Sequence, residues 1–165
     1  GRILDFGCAT SRLLRYFFNE KDKEDLWGVD VNENHIAWNK NTFSNYANFL
    51  LTTHFPHLPF KDNHFSFIYA SSVFTHINNL ADSWLGELSR IILKDKYLLV
   101  SINDERALEQ LLKHKSWSKH PFAKYIQTIK DEINLEKYPK WTNNNTLKTL
   151  NHTFYNRDYF IDNLA

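Results

Sequence analysis

The first eighteen residues carry the pattern that most constrains how this chain can fold. An apolar run over residues 2–6 ends in a turn at Gly7, and leucines and phenylalanines then recur at helical spacing over residues 12–18. Gly7 can adopt a positive φ, the small Ala9 keeps the turn thin, and the hydroxyls of residues 10–11 can cap a helix. The pattern predicts a strand, a tight turn and a helix, with bare backbone open to a ligand.

A second buried strand, residues 26–31, follows about 20 residues beyond the turn and carries Asp30 near its end. In nucleotide-binding α/β folds, a carboxylate at this position accepts hydrogen bonds from ribose hydroxyls. A dinucleotide site would also need glycines where Ala9 and Arg12 stand, so that a pyrophosphate could lie against the helix N-terminus. The segment is therefore interpreted as a nucleoside site rather than a dinucleotide site.

Three sequence blocks follow one another in the first hundred residues. Residues 5–11 read Asp-Phe-Gly-Cys-Ala-Thr-Ser, residues 57–76 begin His-Leu-Pro-Phe-Lys-Asp, and residues 84–94 end Arg-Ile-Ile-Leu-Lys. They resemble motif I, the stretch around the fourth strand, and the helix before the fifth strand of the class I S-adenosylmethionine-dependent methyltransferases. The likeness covers residues 2 to about 102, and the shared order of three blocks argues against chance.

This resemblance implies an α/β fold, with a Rossmann-like parallel sheet in the order 3-2-1-4-5 flanked by helices. It implies S-adenosyl-L-methionine as the cofactor, bound across the carboxyl ends of the first, second and fourth strands. The predicted cofactor-binding residues are Asp5, Gly7, Ala9, Asp30, Val31, Thr53, His54 and Ser71. The chain departs from the family pattern at Ala9 and Ser11, which replace glycines, at Ser66, which replaces an acidic residue, and at Asp95-Lys96, which replaces Pro-Gly-Gly.

Hydrophobic periodicity predicts the remaining elements. Strands are predicted at 48–52, 65–70 and 97–102, and helices at 33–46 with Asn32 as cap, 81–93, 105–114, 122–133, and from residue 157 with Asn156 as cap. Residues 139–146 are predicted to be a loop. No hairpin pattern is found after residue 102, so the family's final β-hairpin is predicted to be missing and the fifth strand to be a bare edge.

Composition limits the class of protein. A length of 165 residues suits one domain, and we expect a single, truncated methyltransferase domain over 1–165, with a helical lid or acceptor region at 103–165. A net charge of +1 offers no basic stripe, so no nucleic acid partner is predicted. The lack of a long apolar run and the single Cys8 predict no membrane association and a cytoplasmic location. The sequence does not indicate an oligomeric state.

His76 is the candidate catalytic residue. It follows the fourth strand, where the resembling family places its acceptor pocket, and histidine titrates near neutral pH. The alternative is a histidine with a purely structural role. His54, His57 and His64 match no familiar zinc spacing, so no metal site is predicted.

Two functions of different classes stay open at this point. The first is S-adenosylmethionine-dependent methyl transfer to a small-molecule or glycan acceptor, and the second is a non-catalytic relative that acts as a binding or scaffold protein. A nicotinamide-dependent oxidoreductase lacks the glycines it would need. Four aromatic residues, Trp117, Tyr138, Trp141 and Tyr155, could form a platform for a planar acceptor or sugar, or could simply pack in the core.

Overall fold

The computed structural model describes residues 1–77, 79–113, 121–135, 140–142 and 152–164. Seven strands and five α-helices are assigned there: β1 (Ile3–Phe6), β2 (Leu26–Asp30), α1 (Glu33–Phe43), β3 (Asn48–Leu51), β4 (Phe65–Ala70), α2 (Ala81–Ile91), β5 (Ile92–Val100), α3 (Glu105–Lys113), α4 (Pro121–Ile129), β6 (Lys140–Thr142), β7 (Thr153–Tyr155) and α5 (Arg157–Leu164). They belong to two compact units, residues 1–74 with 79–101 and residues 75–78 with 102–165.

The first unit contains a five-stranded parallel sheet in the order β3-β2-β1-β4-β5. This confirms the predicted Rossmann-like fold and strand order. Parallel strands need crossover connections, and α1 and α2 supply two of them here. Because alternate residues of a strand face opposite sides, Ile3 joins the core cluster that includes Ile36 of α1, whereas Phe6 packs on Trp84 of α2, with ring centroids 4.8 Å apart.

Several predicted boundaries in the first unit are wrong in informative ways. Residues 12–18 do not form a regular helix, because the chain makes turns and then a short 3-10 helix, Leu14–Phe17, without a side-chain cap. Helix α1 begins after the predicted cap Asn32, whose side chain accepts hydrogen bonds from two backbone N–H groups, but it ends at Phe43 instead of residue 46. Strand β5 starts at Ile92, where a helix was predicted to continue.

The second unit corrects the loop predicted at residues 139–146. Strands β6 and β7 pair antiparallel, with Trp141 opposite Phe154, although residues 140–142 were predicted to be a loop. They form a separate two-stranded sheet and do not extend the five-stranded one. The prediction failed because three-residue strands are too short to show a reliable period in sequence.

The second unit has its own apolar core. Ile126, Ile133, Leu135 and Phe154 are buried together, and leucines of α3 pack against them. Helix α5 starts after Asn156, whose Oδ1 accepts a hydrogen bond of 2.7 Å from the N–H of Tyr159, as the sequence predicted. Helix α4 ends at Ile129 and continues as a 3-10 turn over Lys130–Glu132. No helix in the described ranges is both long enough and apolar enough to cross a bilayer.

Candidate functional site

The turn after β1 has the backbone conformation that glycine favours, although only one glycine is present. The φ angles are +78° at Gly7, +45° at Ala9 and +56° at Ser11. These are the three positions at which motif I of the resembling family has glycine. A left-handed conformation costs an L-residue about 1–2 kcal/mol, so other contacts must hold this turn in place.

Gly7 is required for a second reason besides its φ. A Cβ atom at this position would lie 2.3 Å from Cγ2 of Val73, in the segment that follows β4. The N–H groups of Gly7 and Cys8 both donate to the carbonyl oxygen of Val29 in β2, at 2.8 and 2.9 Å. The turn is therefore packed closely against the neighbouring strand ends.

Asp30 connects the turn to the end of β2. Its Oδ2 accepts a hydrogen bond of 2.8 Å from the Ala9 N–H, and its Oδ1 accepts one of 2.8 Å from the Asn32 N–H. Each carboxylate oxygen can accept two hydrogen bonds, so one site on each oxygen is still available to a ligand. Nδ1 of His35 lies 4.0 Å from Oδ1, which places a titratable group beside the carboxylate.

Asn39 is a residue of this site that the sequence did not reveal. Its side chain is fully buried on α1, with 0% exposure, and Nδ2 donates to the carbonyl oxygen of Ala9 at 2.7 Å and contacts Sγ of Cys8 at 3.6 Å. Oδ1 of Asn39 is buried and has no hydrogen-bond partner. In the sequence, Asn39 only weakened the predicted helix, because asparagine is a poor helix former. Asn39 stands three residues after Ile36, on the same face of the helix, and this spacing was the available signal.

Asp5 is buried at the end of β1, with 3% exposure. Burial raises its pKa from an ordinary 3.8 to about 7, and the charge of Asp30 adds to the shift, while the nearby Tyr69 hydroxyl and the Leu14 backbone oppose it. Burial likewise raises the pKa of Tyr69 and of the Cys8 thiol. Near neutral pH, Asp5 is therefore the group here whose protonation is most easily changed.

The predicted cofactor residues fall at the carboxyl ends of adjacent strands. Asp5 is the last residue but one of β1, with Gly7 and Ala9 just beyond the strand, and the exposed Val31 follows Asp30 at the end of β2. Thr53 and His54 are exposed after β3, and Ser71 is exposed directly after β4. The hydrogen bonds given above connect Asp30 with Ala9, whereas Thr53 and His54 are related to them only by the order of the strands.

His76 belongs to the second compact unit, whereas the predicted cofactor residues belong to the first. Its ring packs against that of His152, with centroids 5.1 Å apart. Of the four aromatic residues proposed as a platform, Tyr155 is buried and donates a hydrogen bond of 2.9 Å to the Ile77 carbonyl oxygen, so it packs inside its unit. Trp117, Tyr138 and the side chain of Trp141 lie outside the described residues.

In the part of the chain that the structure describes, no group of three or more histidine, cysteine or carboxylate side chains could hold a metal ion. The groups available at the strand ends are instead the Asp30 carboxylate, with a free acceptor position on each oxygen, and the open left-handed turn beside it. The turn lacks the glycines that a pyrophosphate would need at Ala9 and Arg12, so this set suits a nucleoside better than a dinucleotide.

Comparison with protein families agrees with this geometry. The family model described as a methyltransferase domain matches residues 4–100. The fold and the match together define the class: the chain belongs to the methyltransferase-domain family. S-adenosyl-L-methionine is the cofactor that this family and its structural relatives indicate. A comparison with curated proteins found no match.

Solved structures share the fold at low sequence identity. A S-adenosylmethionine-dependent methyltransferase from Aquifex aeolicus is 21% identical over 60% of this chain and 54% of its own, with a TM-score of 0.52. A protein from Pyrococcus horikoshii is 16% identical over 96% of this chain and 68% of its own, with a TM-score of 0.67. The cyclase SpnF is 21% identical over 60% of this chain and 37% of its own, with a TM-score of 0.51. The chain spans about half the length of the Aquifex structure.

Proposed function

We propose that this chain is the cofactor-binding part of an S-adenosylmethionine-dependent methyltransferase that acts on a small molecule or a glycan. The observation that carries the proposal is the turn after β1, which keeps positive φ angles at Gly7, Ala9 and Ser11 although two of the three residues are not glycine. Backbone strain of this kind clusters at ligand-binding sites, and two left-handed residues other than glycine within one turn support such a site here. The hydrogen bond from Ala9 to Asp30 supports the same conclusion.

In this proposal Asp30 accepts hydrogen bonds from both ribose hydroxyls of the cofactor through the free positions on its two oxygens. Asp5 orients the amino-acid end of the cofactor: burial disfavours its ionised form and raises its pKa, and the ammonium group of the cofactor would stabilise that ionised form. Gly7 and Ala9 present bare backbone, while Val31, Thr53, His54 and Ser71 line the remaining strand ends.

When bound, the cofactor supplies an electrophilic methyl group on a sulfonium, which an acceptor removes by in-line displacement. The chain then has to hold the acceptor in line and exclude water, and no metal is needed. We assign His76 the role of base, or of a group that orients a hydroxyl acceptor. The second compact unit, residues 75–78 with 102–165, serves in this proposal as the lid or acceptor region.

The acceptor class is inferred from charge. A net charge of +1 and the absence of a basic run in the sequence favour a small molecule or glycan over a nucleic acid. We also propose a cytoplasmic location, because the single Cys8 can form no internal disulfide and suits a reducing compartment. The alternative is a non-catalytic relative that acts as a binding or scaffold protein. A shared fold does not fix the activity, since the cyclase SpnF shares this fold and is described by an activity other than methyl transfer.

Calorimetric titration tests the cofactor assignment. The chain should bind S-adenosylmethionine and S-adenosylhomocysteine and should not bind NAD or NADP, since its turn lacks the glycines for a pyrophosphate. Binding of a nicotinamide dinucleotide alone would contradict the proposal. Binding of S-adenosylhomocysteine without methyl transfer to any hydroxyl, amine or glycan acceptor would favour the scaffold alternative.

A variant of His76 tests the catalytic assignment once an acceptor is found. His76→Ala should lower the rate of methyl transfer by roughly 100-fold or more and leave the affinity for S-adenosylhomocysteine unchanged. His57→Ala is the control, because it removes an exposed histidine that has no assigned role in the reaction. Normal turnover in His76→Ala would make His76 a structural residue.

A further inference from the structure

A cavity of about 550 Å³ lies in the first unit, away from the strand ends that carry the cofactor residues. It is lined by Arg2, Trp27, Leu50, Pro59, Phe60, Lys61 and His64. Arg2 directly precedes β1 and His64 directly precedes β4, so both stand at the amino ends of their strands. The cofactor residues after β1 and β4 stand at the carboxyl ends, about 3.3 Å per residue further along those strands, and no predicted cofactor residue lines the cavity.

Both charged side chains that line this cavity are positive. Arg2 and Lys61 are both exposed cations, and neither makes an ion pair with a carboxylate in the described residues. The one acidic residue in the adjoining segment, Asp62, is held away by Arg90, whose Nη1 donates to Asp62 Oδ1 at 2.6 Å. No acidic side chain is among the lining residues. Two cations that share one cavity repel each other unless an anion lies between them.

The apolar walls of the cavity are flat. The ring of Trp27 meets that of Phe60 edge to face, with centroids 5.1 Å apart, and Phe60 stacks on His64 at 5.6 Å with the planes inclined by 18°. Leu50 of β3 and Pro59 complete the apolar lining. Aromatic surfaces of this kind bind planar ligands.

An ion pair between the buried Glu87 and the partly exposed Arg90 fixes the segment that forms one wall. Oε1 of Glu87, a residue with 8% exposure, accepts a hydrogen bond of 2.6 Å from the Leu58 N–H. Arg90 donates to Glu87 and also to the carbonyl oxygens of Leu58 and Phe60, at 3.2 and 2.9 Å. Residues 58–60 are thus tied to α2 at both ends, and the wall is formed before any ligand arrives, which lowers the entropy cost of binding.

From this arrangement we infer that the cavity is a second ligand site, for a small anion with a flat apolar body: an aromatic carboxylate or an aromatic phosphate ester. The anionic group lies between Arg2 and Lys61, and the ring system packs on Trp27, Phe60 and Leu50. A neutral aromatic molecule leaves the two cations without a counter-charge, and an anion without a ring leaves the aromatic walls in water. The site requires both parts of the ligand.

His64 provides a reporter inside the site. Burial lowers its pKa, and the positive charges of Arg2 and Lys61 lower it further. These two side chains are the charged groups that act on His64, and a bound anion offsets both of them. The midpoint of the His64 ring signals in an NMR pH titration should therefore move to higher pH when the anion binds.

Three matched probes test the inference on the 165-residue chain: naphthoate, naphthyl phosphate and the neutral naphthalenemethanol. Either anion should bind at least tenfold more tightly than the neutral probe, with a weaker affinity at high salt, and should raise the His64 midpoint. The anion that binds more tightly shows whether the site prefers a carboxylate or a phosphate ester. Equal binding of the neutral probe would overturn the inference, because the cations would then contribute nothing.

Charge variants locate the site. The double variant Arg2→Gln with Lys61→Gln should weaken binding of the anionic probe at least tenfold. The control, Lys40→Gln with Lys94→Gln, removes the same net charge from exposed positions outside the cavity and should leave the affinity unchanged. An equal loss in both double variants would show attraction to the whole molecule rather than a site, and would overturn the assignment.

Discussion

Nδ2 of Asn39 donates a hydrogen bond of 2.7 Å to the carbonyl oxygen of Ala9, across 30 residues of sequence. Asp30 holds the N–H of the same residue, so both polar groups of the Ala9 backbone are bound by side chains from other elements. Ala9 has a φ of +45°, which a residue with a Cβ adopts at a cost. The two contacts offset that cost and keep a turn with one glycine in the shape of a turn with three.

Replacing Ala9 with glycine should stabilise the chain. Glycine adopts a positive φ without a steric penalty, but its unfolded state has more entropy, so the expected net gain in the free energy of unfolding is up to about 1 kcal/mol. Urea unfolding followed by tryptophan fluorescence measures it. The control Ala37→Gly, at an exposed position of α1, should lose about 1 kcal/mol instead. A loss at both positions would mean that the turn is not strained.

Removing the side-chain amide of Asn39 should affect cofactor affinity more than stability. Asn39→Leu removes the bond to Ala9 but also the buried Oδ1 that has no partner, so the effects on unfolding largely cancel. Affinity for S-adenosylhomocysteine should fall about tenfold, because the turn is no longer held. Adding Ala9→Gly should restore part of that affinity. If the double variant binds no better than Asn39→Leu alone, Asn39 does not act through the turn.

The side chain of Asp30 should be essential for cofactor binding and dispensable for the fold. Asp30→Ala should weaken S-adenosylhomocysteine binding about 10 to 100-fold, since a hydrogen bond to a charged group is worth roughly 1.5–3 kcal/mol. Calorimetry gives the affinity and circular dichroism checks the fold. Glu20→Ala, which removes an exposed carboxylate, should bind normally. An unchanged affinity in Asp30→Ala would remove the basis for the ribose assignment.

Stability should decrease between about pH 4 and pH 7 because of Asp5. Its pKa is about 7 in the folded chain and 3.8 ordinarily, so over this interval the folded state keeps a proton that the unfolded state has lost. The unfolding free energy therefore falls as pH rises, by up to about 4 kcal/mol at 1.36 kcal/mol per pKa unit. Above about pH 7, the contribution of Asp5 no longer changes with pH.

Asp5→Asn isolates this contribution, because the amide carries no charge at any of these pH values. The difference in unfolding free energy between the parent chain and Asp5→Asn should change with pH only across the interval from about 4 to 7. Urea unfolding at closely spaced pH values measures the difference. A difference that is independent of pH would mean that Asp5 titrates normally in the folded chain.

The outer edge of β5 should promote self-association of the 165-residue chain. No other strand in the described ranges pairs with that edge, and Tyr97 and Leu99 are 77% and 62% exposed along β5. An apolar strand edge of this kind is a template for pairing with another chain. Leu99→Lys should reduce light scattering of concentrated samples, because lysine disfavours edge pairing. Tyr16→Lys, at an exposed aromatic residue outside the strands, should have much less effect.

The sequence by itself determined where the strands lie along the chain and where the carboxylates stand, because buried parallel strands are short apolar runs and residues after them fall at one edge of the sheet. Asp5, Gly7 and Asp30 could be named for this reason. The resemblance in three blocks added the strand order and the cofactor, which the fold and the family match confirm. The roles of the individual site residues stay predictions.

Only the tertiary structure decided how a turn with one glycine keeps its shape. The contact between Asn39 and Ala9 spans 30 residues, and no periodicity in the sequence relates the two. The pKa of Asp5 depends on burial under neighbouring elements, and the cavity next to Trp27 depends on the ion pair of Glu87 with Arg90, which fixes a distant loop. Such features arise from packing between segments far apart in the chain, whereas local patterns report only the conformation of each segment.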